Sequence, residues 1–341
     1  MKKIIALSAA LFAMAALHAQ DWKMVPGRIS SSWAETVTAA NPLPAYPRPQ
    51  MVRNDWTNLN GLWLYAIVPA TKKEKFPARY DGNILVPFAV ESALSGVSRT
   101  VGKDSVLWYK RTITAEHAGN TRLLLHFGAV DWLCDVFVNG KQAGSHKGGY
   151  DPFEFDITSY LNSGREQEIM VRVWDPTDDG PQPRGKQVKN PRGIWYTPVT
   201  GIWQTVWLES VPATYISSFK QVPDIDNAQL TVAVSTEKLQ PGDQVKLVAY
   251  DGGKQIADQT ASGSGTAILK IPAPKLWSPG NPFLYDLKIS VLRNGKPVDE
   301  VKGYFAMRKI STGKDRNGVQ RMLLNNEFVF QYGPLDQGWW P

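Results

Sequence analysis

The residues best equipped for chemistry gather in one acidic loop. Residues 175–180 read Asp-Pro-Thr-Asp-Asp-Gly, so Asp175, Thr177, Asp179 and Gly180 stand at the first, third, fifth and sixth places of a calcium loop. The twelfth place, which needs a bidentate glutamate, is Lys186, and the pattern does not complete. Carboxylates this close could still do acid–base work, or simply line a solvated turn. The nucleophile elbow G-x-S-x-G, the zinc helix H-E-x-x-H, the P-loop and a full G-x-G-x-x-G are all missing. His117, His126 and His146 have no metal-ligand spacing with one another or with a cysteine and read as structural. No metal or other cofactor is therefore expected. Cys134 is the one cysteine, which excludes an intrachain disulfide, and its setting LCDVFV describes a buried thiol. Tryptophan is abundant, at 13 residues that include Trp56, Trp63, Trp108, Trp132, Trp174, Trp195, Trp203, Trp207 and Trp277. Their faces suit the C–H faces of sugars, but most lie in apolar strand runs where burial alone accounts for them.

The elements that must position these residues are strands. In LCDVFV, Cys134, Val136 and Val138 alternate with Leu133, Asp135 and Phe137, and Asn139-Gly140 then supplies a primed hairpin turn. Ile169, Val171 and Val173 alternate in the same way, and IWQTVWLESV is another strand. Beyond about residue 211 the strands shorten and are punctuated by Pro241-Gly242, Gly252-Gly253 and Asn294-Gly295, a spacing that fits an immunoglobulin-like sandwich. The fold class expected is all-β. GYFAMRKIS and RMLLNNEFVFQYG read as a linker strand and the first strand of a further unit. Hydrophobic residues at 43% and charged residues at 20% describe a globular chain, not a disordered one.

The first residues, MKKIIALSAALFAMAALHAQ, have a secretory layout: Lys2 and Lys3, an apolar run from Ile4 to Leu17, and Ala19 before the cut. The run is shorter than the ~20 residues a membrane span needs, so the mature chain is expected to be exported, to the periplasm or beyond, with no membrane anchor. Removal of Lys2 and Lys3 lowers the net charge from +7 to +5. The remaining basic residues are scattered, with TKKEKF the densest group, which speaks against a nucleic-acid partner.

Several stretches in order resemble glycoside hydrolase family 2, which includes β-galactosidases, β-glucuronidases and β-mannosidases: WTNLNGLW (56–63), LVPFAVESALSG (85–96), LWYKRTI (107–113), LLLHFGAVDWLCDVFVNGK (123–141), GGYDPFEFDIT (148–158), VRVWDPTDDGPQPRGKQ (171–187), GIWYTPVTGIWQTVWLE (193–209), LWSPGNPFLYDL (276–287) and GYFAMRKI (303–310). The resemblance implies a signal peptide over 1–19, a sugar-binding jelly roll over 20–212, an immunoglobulin-like sandwich over 213–306, and over 307–341 the truncated start of a (β/α)8 barrel. In that family two barrel glutamates carry out retaining hydrolysis of terminal β-linked sugars. The barrel lies outside this sequence, so no catalytic residue is assigned, Glu327 included, and the chain alone is expected to be inactive. The carbohydrate-contacting candidates that the resemblance implies are Glu91 and Ser92 in one jelly-roll loop, and Asp175, Asp178, Arg184, Lys186 and Gln187 in another. Asp336 and Gln337, in GPLDQGWWP, sit at the exit of the first barrel strand in this reading. The partners implied are a β-glycoside or glycan and the missing barrel. A stand-alone carbohydrate-binding or adhesion module is the alternative.

Overall fold

The computed structural model describes residues 22–70, 76–115, 119–263 and 265–335. Residues 1–21, where the signal peptide is expected, most of TKKEKF, His117, Asp336, Gln337 and the two final tryptophans lie outside the described residues. No described helix is long and apolar enough to cross a membrane.

The first sandwich faces a six-stranded sheet against a four-stranded one. The larger sheet runs Gly82–Val86, Gly61–Pro69, Ser105–Thr114, Glu166–Trp174, Leu133–Val138, Lys141–Lys147; the smaller runs Trp56–Asn58, Val206–Pro212, Thr121–Phe127, Phe153–Asp156. Every pairing is antiparallel, as short hairpin-rich strands dictate. Alternation places Cys134, Val136 and Val138 inward with Trp63, Tyr109, Leu125, Phe127 and Val171. Burial pushes the Cys134 thiol up to about 12, so it stays protonated. Asn139 and Gly140 adopt φ of 50° and 77°, the primed turn that lets the strands keep their twist.

The second sandwich packs Tyr215–Asp224, Gln229–Glu237 and Gly265–Lys270 on a sheet of Lys254–Ser262, Gln244–Asp251, Tyr285–Arg293 and Lys296–Phe305. Two expectations change here. Gly303–Phe305 belongs to the last strand of this sandwich, and Met307 is fully buried in its core, so GYFAM closes the unit instead of linking it onward. RMLLNNEFVFQYG is not one strand. Asn325 and Asn326, at φ 54° and 69°, turn Gln320–Leu324 back on Glu327–Phe328, and Ile310–Lys314 completes a small three-stranded sheet. No closed barrel is present among the described residues.

The irregular N-terminal segment straps the two sandwiches together. Val52 pairs with Lys302, and Met51 lies in the second core. Next to it, Glu209 of the first sandwich is fully buried and accepts from Tyr46 Oη (2.6 Å), Arg48 Nη2 (2.8 Å to Oε2) and Trp207 Nε1 (2.9 Å). Arg53 Nε lies 3.4 Å from the same carboxylate. His126, stacked on Trp207, directs Nδ1 at Glu154 (2.9 Å) and Nε2 toward Glu209 (3.5 Å). Burial alone would raise the Glu209 carboxyl, but His126, Arg48 and Tyr46 outweigh it and hold the group at about 2. Burial likewise opposes charge on His126, yet Glu154 and Glu209 lift its pKa above the usual imidazole range. His126 is thus structural, as its sequence setting suggested, through a network joining both domains.

Candidate carbohydrate site

One end of the first sandwich collects the acidic loop and its neighbours. Asp175 directly follows the strand Glu166–Trp174 and is buried. Its Oδ1 accepts from the Thr177 amide (2.8 Å) and its Oδ2 from Thr200 Oγ1 (2.7 Å). The Thr200 amide donates in turn to Glu91 Oε2 at 2.9 Å, so a single residue ties the loop carrying Glu91 to the loop carrying Asp175. The other oxygen, Glu91 Oε1, is sealed from solvent with no partner. Burial raises Glu91 well above the carboxylate range and also raises Asp175, despite the donors each receives.

Asp131, which sequence reading did not single out, sits directly across from Gly201 in the short pairing of Val130–Asp131 with Gly201–Ile202. It is 8% exposed, and burial, reinforced by nearby Asp175, lifts its carboxyl to about 8. Gly149 lies against it: a Cβ there would stand 2.6–2.8 Å from the carboxyl atoms, so only glycine allows this approach. The Trp203 indole donates to the Gly149 carbonyl at 2.8 Å, and Tyr150 meets Trp203 edge-on at 6.2 Å. Gly201 is held as tightly, since its φ is 92° and a Cβ would fall 2.0 Å from the Tyr109 hydroxyl, which accepts from the Ile202 amide.

The remaining candidates divide. Ser92 is 1% exposed and its hydroxyl accepts from the Ser95 amide, so it works inside its own loop. Asp178 accepts from the Lys189 amide at 3.2 Å, and Asp179 pairs with Lys189 and Lys103. Arg184, Lys186 and Gln187 form the far side of the loop, pinned by Tyr196 donating to the Lys186 carbonyl at 2.9 Å. A Cβ at Gly185 would meet Gln187 Oε1 at 2.8 Å and the Tyr150 hydroxyl at 3.8 Å, so both side chains crowd the same point. Buried polar atoms without partners concentrate here: Glu91 Oε1, His146 Nε2, Gln182 Oε1, Arg184 Nε and Gln187 Oε1. A cleft of about 190 Å³ is lined by Arg28, Ile29, Glu91, Ser92 and Thr197, and Ile29 also lines a separate apolar cleft of about 560 Å³ with Trp33, Phe88 and Leu94. Among the described residues, no group of three or more His, Cys, Asp or Glu is arranged to hold a metal ion.

Comparison with known proteins decides the family. The sugar binding domain of glycosyl hydrolases family 2 matches residues 49–212, and a second domain of glycosyl hydrolases family 2 matches residues 214–308. The chain belongs to glycosyl hydrolase family 2. Among curated relatives, a Formosa agariphila protein assigned as a β-glucuronidase is 30% identical over 265 residues, 74% of this chain and 31% of its own length. A β-galactosidase of Thermoanaerobacter pseudethanolicus is 25% identical over 82% of this chain and 39% of its own. The chain therefore spans well under half the length of these family 2 relatives. In fold it is similar to the β-glucuronidase of Ruminococcus gnavus in complex with D-glucuronic acid, with a TM-score of 0.65 at 20% identity over 85% of this chain and 51% of that one. The jelly roll and the immunoglobulin-like sandwich of the family are both present, in the expected order.

Proposed function

We propose that this chain is the sugar-holding, N-terminal portion of an exported retaining β-glycosidase, and that the loop end bearing Asp175, Arg184, Lys186 and Gln187 contacts the terminal sugar of a β-linked substrate. The match of residues 49–212 to the family's sugar binding domain, with the Glu91 and Asp175 loops joined through Thr200 at one end of it, carries this reading. Asp175 accepts from sugar hydroxyls, while Arg184, Lys186 and Gln187 donate. Glu91 stands behind Asp175 and acts through Thr200, holding the two loops in register. Hydrolysis itself belongs to two glutamates of a barrel that follows, in the retaining arrangement with carboxyls ~5–5.5 Å apart. Asp336 and Gln337 are assigned to the approach to that barrel's pocket.

Three measurements test the reading. The 341-residue chain, incubated with aryl β-galactosides, β-glucosides and β-glucuronides, is expected to release no phenol above background; clear turnover would show that the reaction does not need a barrel. Ligand-observed NMR should detect weak binding of a methyl β-glycoside, lost in Asp175→Ala. Export predicts a mature N-terminus at Gln20 or Asp21 when the protein is recovered from cells and sequenced; an intact Met1 contradicts it.

A further inference from the structure

An asparagine followed by glycine can be attacked by its own main chain, because no Cβ shields the glycine nitrogen from the side-chain carbonyl. The chain has four such pairs: Asn60-Gly61, Asn139-Gly140, Asn294-Gly295 and Asn317-Gly318. Three are restrained, each in its own way. Asn60 is buried; its Oδ1 accepts from the Val206 amide at 3.0 Å and its Nδ2 donates to the Pro42 carbonyl at 3.2 Å. Asn139 is held at both ends of its side-chain amide. Its Oδ1 accepts from the Glu168 amide at 2.9 Å, and its Nδ2 donates to the Tyr160 carbonyl at 2.9 Å and to Gln167 Oε1 at 2.7 Å. Asn317 is exposed, but the nitrogen that would attack it, that of Gly318, donates to the Asp315 carbonyl at 2.9 Å. Asn294 and Gly295 differ from all three. They are exposed at the tip of the hairpin joining Tyr285–Arg293 to Lys296–Phe305, with φ of 52° and 75°. The turn closes between its flanking residues, Arg293 and Lys296, which leaves the central Gly295 amide outside the ladder. Among the described residues no partner holds the Asn294 side chain or the Gly295 amide, and a Cβ at Gly295 would meet nothing within 4 Å.

We propose that Asn294 is a self-modification site, where the fold leaves the side-chain amide open to attack by the Gly295 nitrogen and to hydrolysis by water. The Gly295 nitrogen gives up its proton and bonds to Asn294 Cγ; the Cγ–Nδ2 bond breaks, and Nδ2 leaves with a proton as ammonia. The resulting five-membered imide then takes up one water. Opening at the Cγ carbonyl gives an ordinary aspartate, and opening at the main-chain carbonyl gives an isoaspartate whose main chain runs through Cγ. The sum is amide plus water to carboxylic acid plus ammonia, with nothing oxidised or reduced. Either product places a negative charge between Arg293 and Lys296. The isoaspartate also adds one main-chain atom to a two-residue loop whose length sets the register of both strands. The neighbouring Arg293 grips Asp243 through Nε (2.8 Å) and Nη2 (2.7 Å) and donates to Thr214 Oγ1 at 3.0 Å, where the chain crosses between the sandwiches. The modification therefore falls next to a contact that ties the second sandwich to the crossing segment.

The test incubates the 341-residue chain at pH 8 for several days in water enriched in heavy oxygen, with a parallel sample unfolded in guanidinium. Peptide mapping by mass spectrometry reads oxygen uptake at each of the four asparagines, and enzymatic methylation of isoaspartate reads the rearranged product. In the native chain Asn294 should convert about fivefold or more faster than Asn317, the size of one amide hydrogen bond, and Asn60 and Asn139 should stay intact. In guanidinium the four sites should converge, since each is followed by glycine and the restraints are gone. Asn294→Gln should remove the native signal at that site and leave Asn317 unchanged. Conversion of native Asn294 no faster than that of Asn139 or Asn60 overturns the proposal, as does a native Asn294 that stays intact while the unfolded chain reacts. A ranking that persists in guanidinium shows that the local sequence and not the fold selects the site, and overturns it equally.

Discussion

Arg53 and Asp299 meet across the two sandwiches in a buried bidentate pair, Nη1 to Oδ1 at 2.6 Å and Nη2 to Oδ2 at 3.0 Å. Arg53 precedes the first strand of the first sandwich, and Asp299 lies on the last strand of the second. The same Asp299 oxygen, Oδ2, accepts from the Ile216 amide at 2.7 Å, and Arg53 donates to the Ile216 carbonyl, so the pair also fixes the chain where it crosses between domains. Removing Arg53 leaves the Asp299 carboxylate buried without a counter-ion, which typically costs about 3–5 kcal/mol, whereas removing Asp299 leaves Arg53 its contact with Glu209 and should cost less. Arg53→Ala and Asp299→Ala are both expected to lower Tm, the first more sharply. The double variant should lose less than the sum of the singles, as a double-mutant cycle read by thermal unfolding would show.

The network around Glu209 sets a pH window. Glu209, held at about 2 against an ordinary 4.5, contributes stability above pH 4.5 that is lost as pH falls toward 2. His126 has a raised pKa, so its contribution is complete below 6.5 and is lost as pH rises through its folded value. His126→Asn should therefore cost most between about pH 4.5 and 6.5, and its penalty should shrink by pH 9. Urea unfolding across pH 4–9 measures this; a penalty constant with pH would show that His126 only packs.

Asp131 works in the opposite direction. Its native carboxyl holds a proton to about 8, against 3.8 when unfolded, so native stability declines as pH rises between those values. Asp131→Asn removes the titration. Its stability relative to the parent should improve steadily from pH 4 to pH 8, by up to several kcal/mol on the scale of ~1.4 kcal/mol per unit of pKa shift. Thermal scans at pH 5 and pH 8 give the comparison, and an equal difference at the two values would contradict the burial argument.

Thr200 should matter through its hydroxyl. Thr200→Val keeps the amide that donates to Glu91 but deletes the bond to Asp175, at a cost of about 1–3 kcal/mol for a buried acceptor left short. Thr200→Ser should restore most of that loss. If Val and Ser behave alike in unfolding experiments, the link from Thr200 to Asp175 contributes nothing.

Gly201→Ala forces a Cβ against the Tyr109 hydroxyl at a backbone angle side chains rarely take. It should destabilise the first sandwich strongly. Tyr109→Phe in the same chain should recover part of the loss by removing the clashing oxygen, leaving the backbone strain. Full recovery would assign the whole effect to the clash.

Much of the scaffold was legible because period-2 alternation and turn residues are local signals. Cys134, Val136 and Val138 had to point one way once the strand was recognised, and Asn139-Gly140 had to turn it. Asn325-Asn326 went unread as a turn because it lacks the glycine that usually marks one, and the flanking apolar residues look continuous. The acidic loop was visible as composition, but Asp131 was not. It looks like one more polar residue before a strand, and only the pairing of Asp131 with Gly201 brings it to Asp175. Thr200 is invisible for the same reason: its importance lies in two bonds to residues far away in sequence. The strap of residues 46–53 has no periodicity to detect, since its order is imposed by Glu209 and by the second sandwich.

That strap limits how the molecule can be taken apart. The second family 2 match begins at residue 214, which suggests a domain that could be excised and moved as a unit. Yet a piece beginning there leaves behind Met51, a member of its core, Val52, the pairing partner of Lys302, and Arg53, the counter-ion of Asp299. The two sandwiches are separate in sequence but not portable, and a graft or a domain swap between relatives that respects the apparent boundary would carry a hole, an open strand edge and a buried unpaired carboxylate into its new setting.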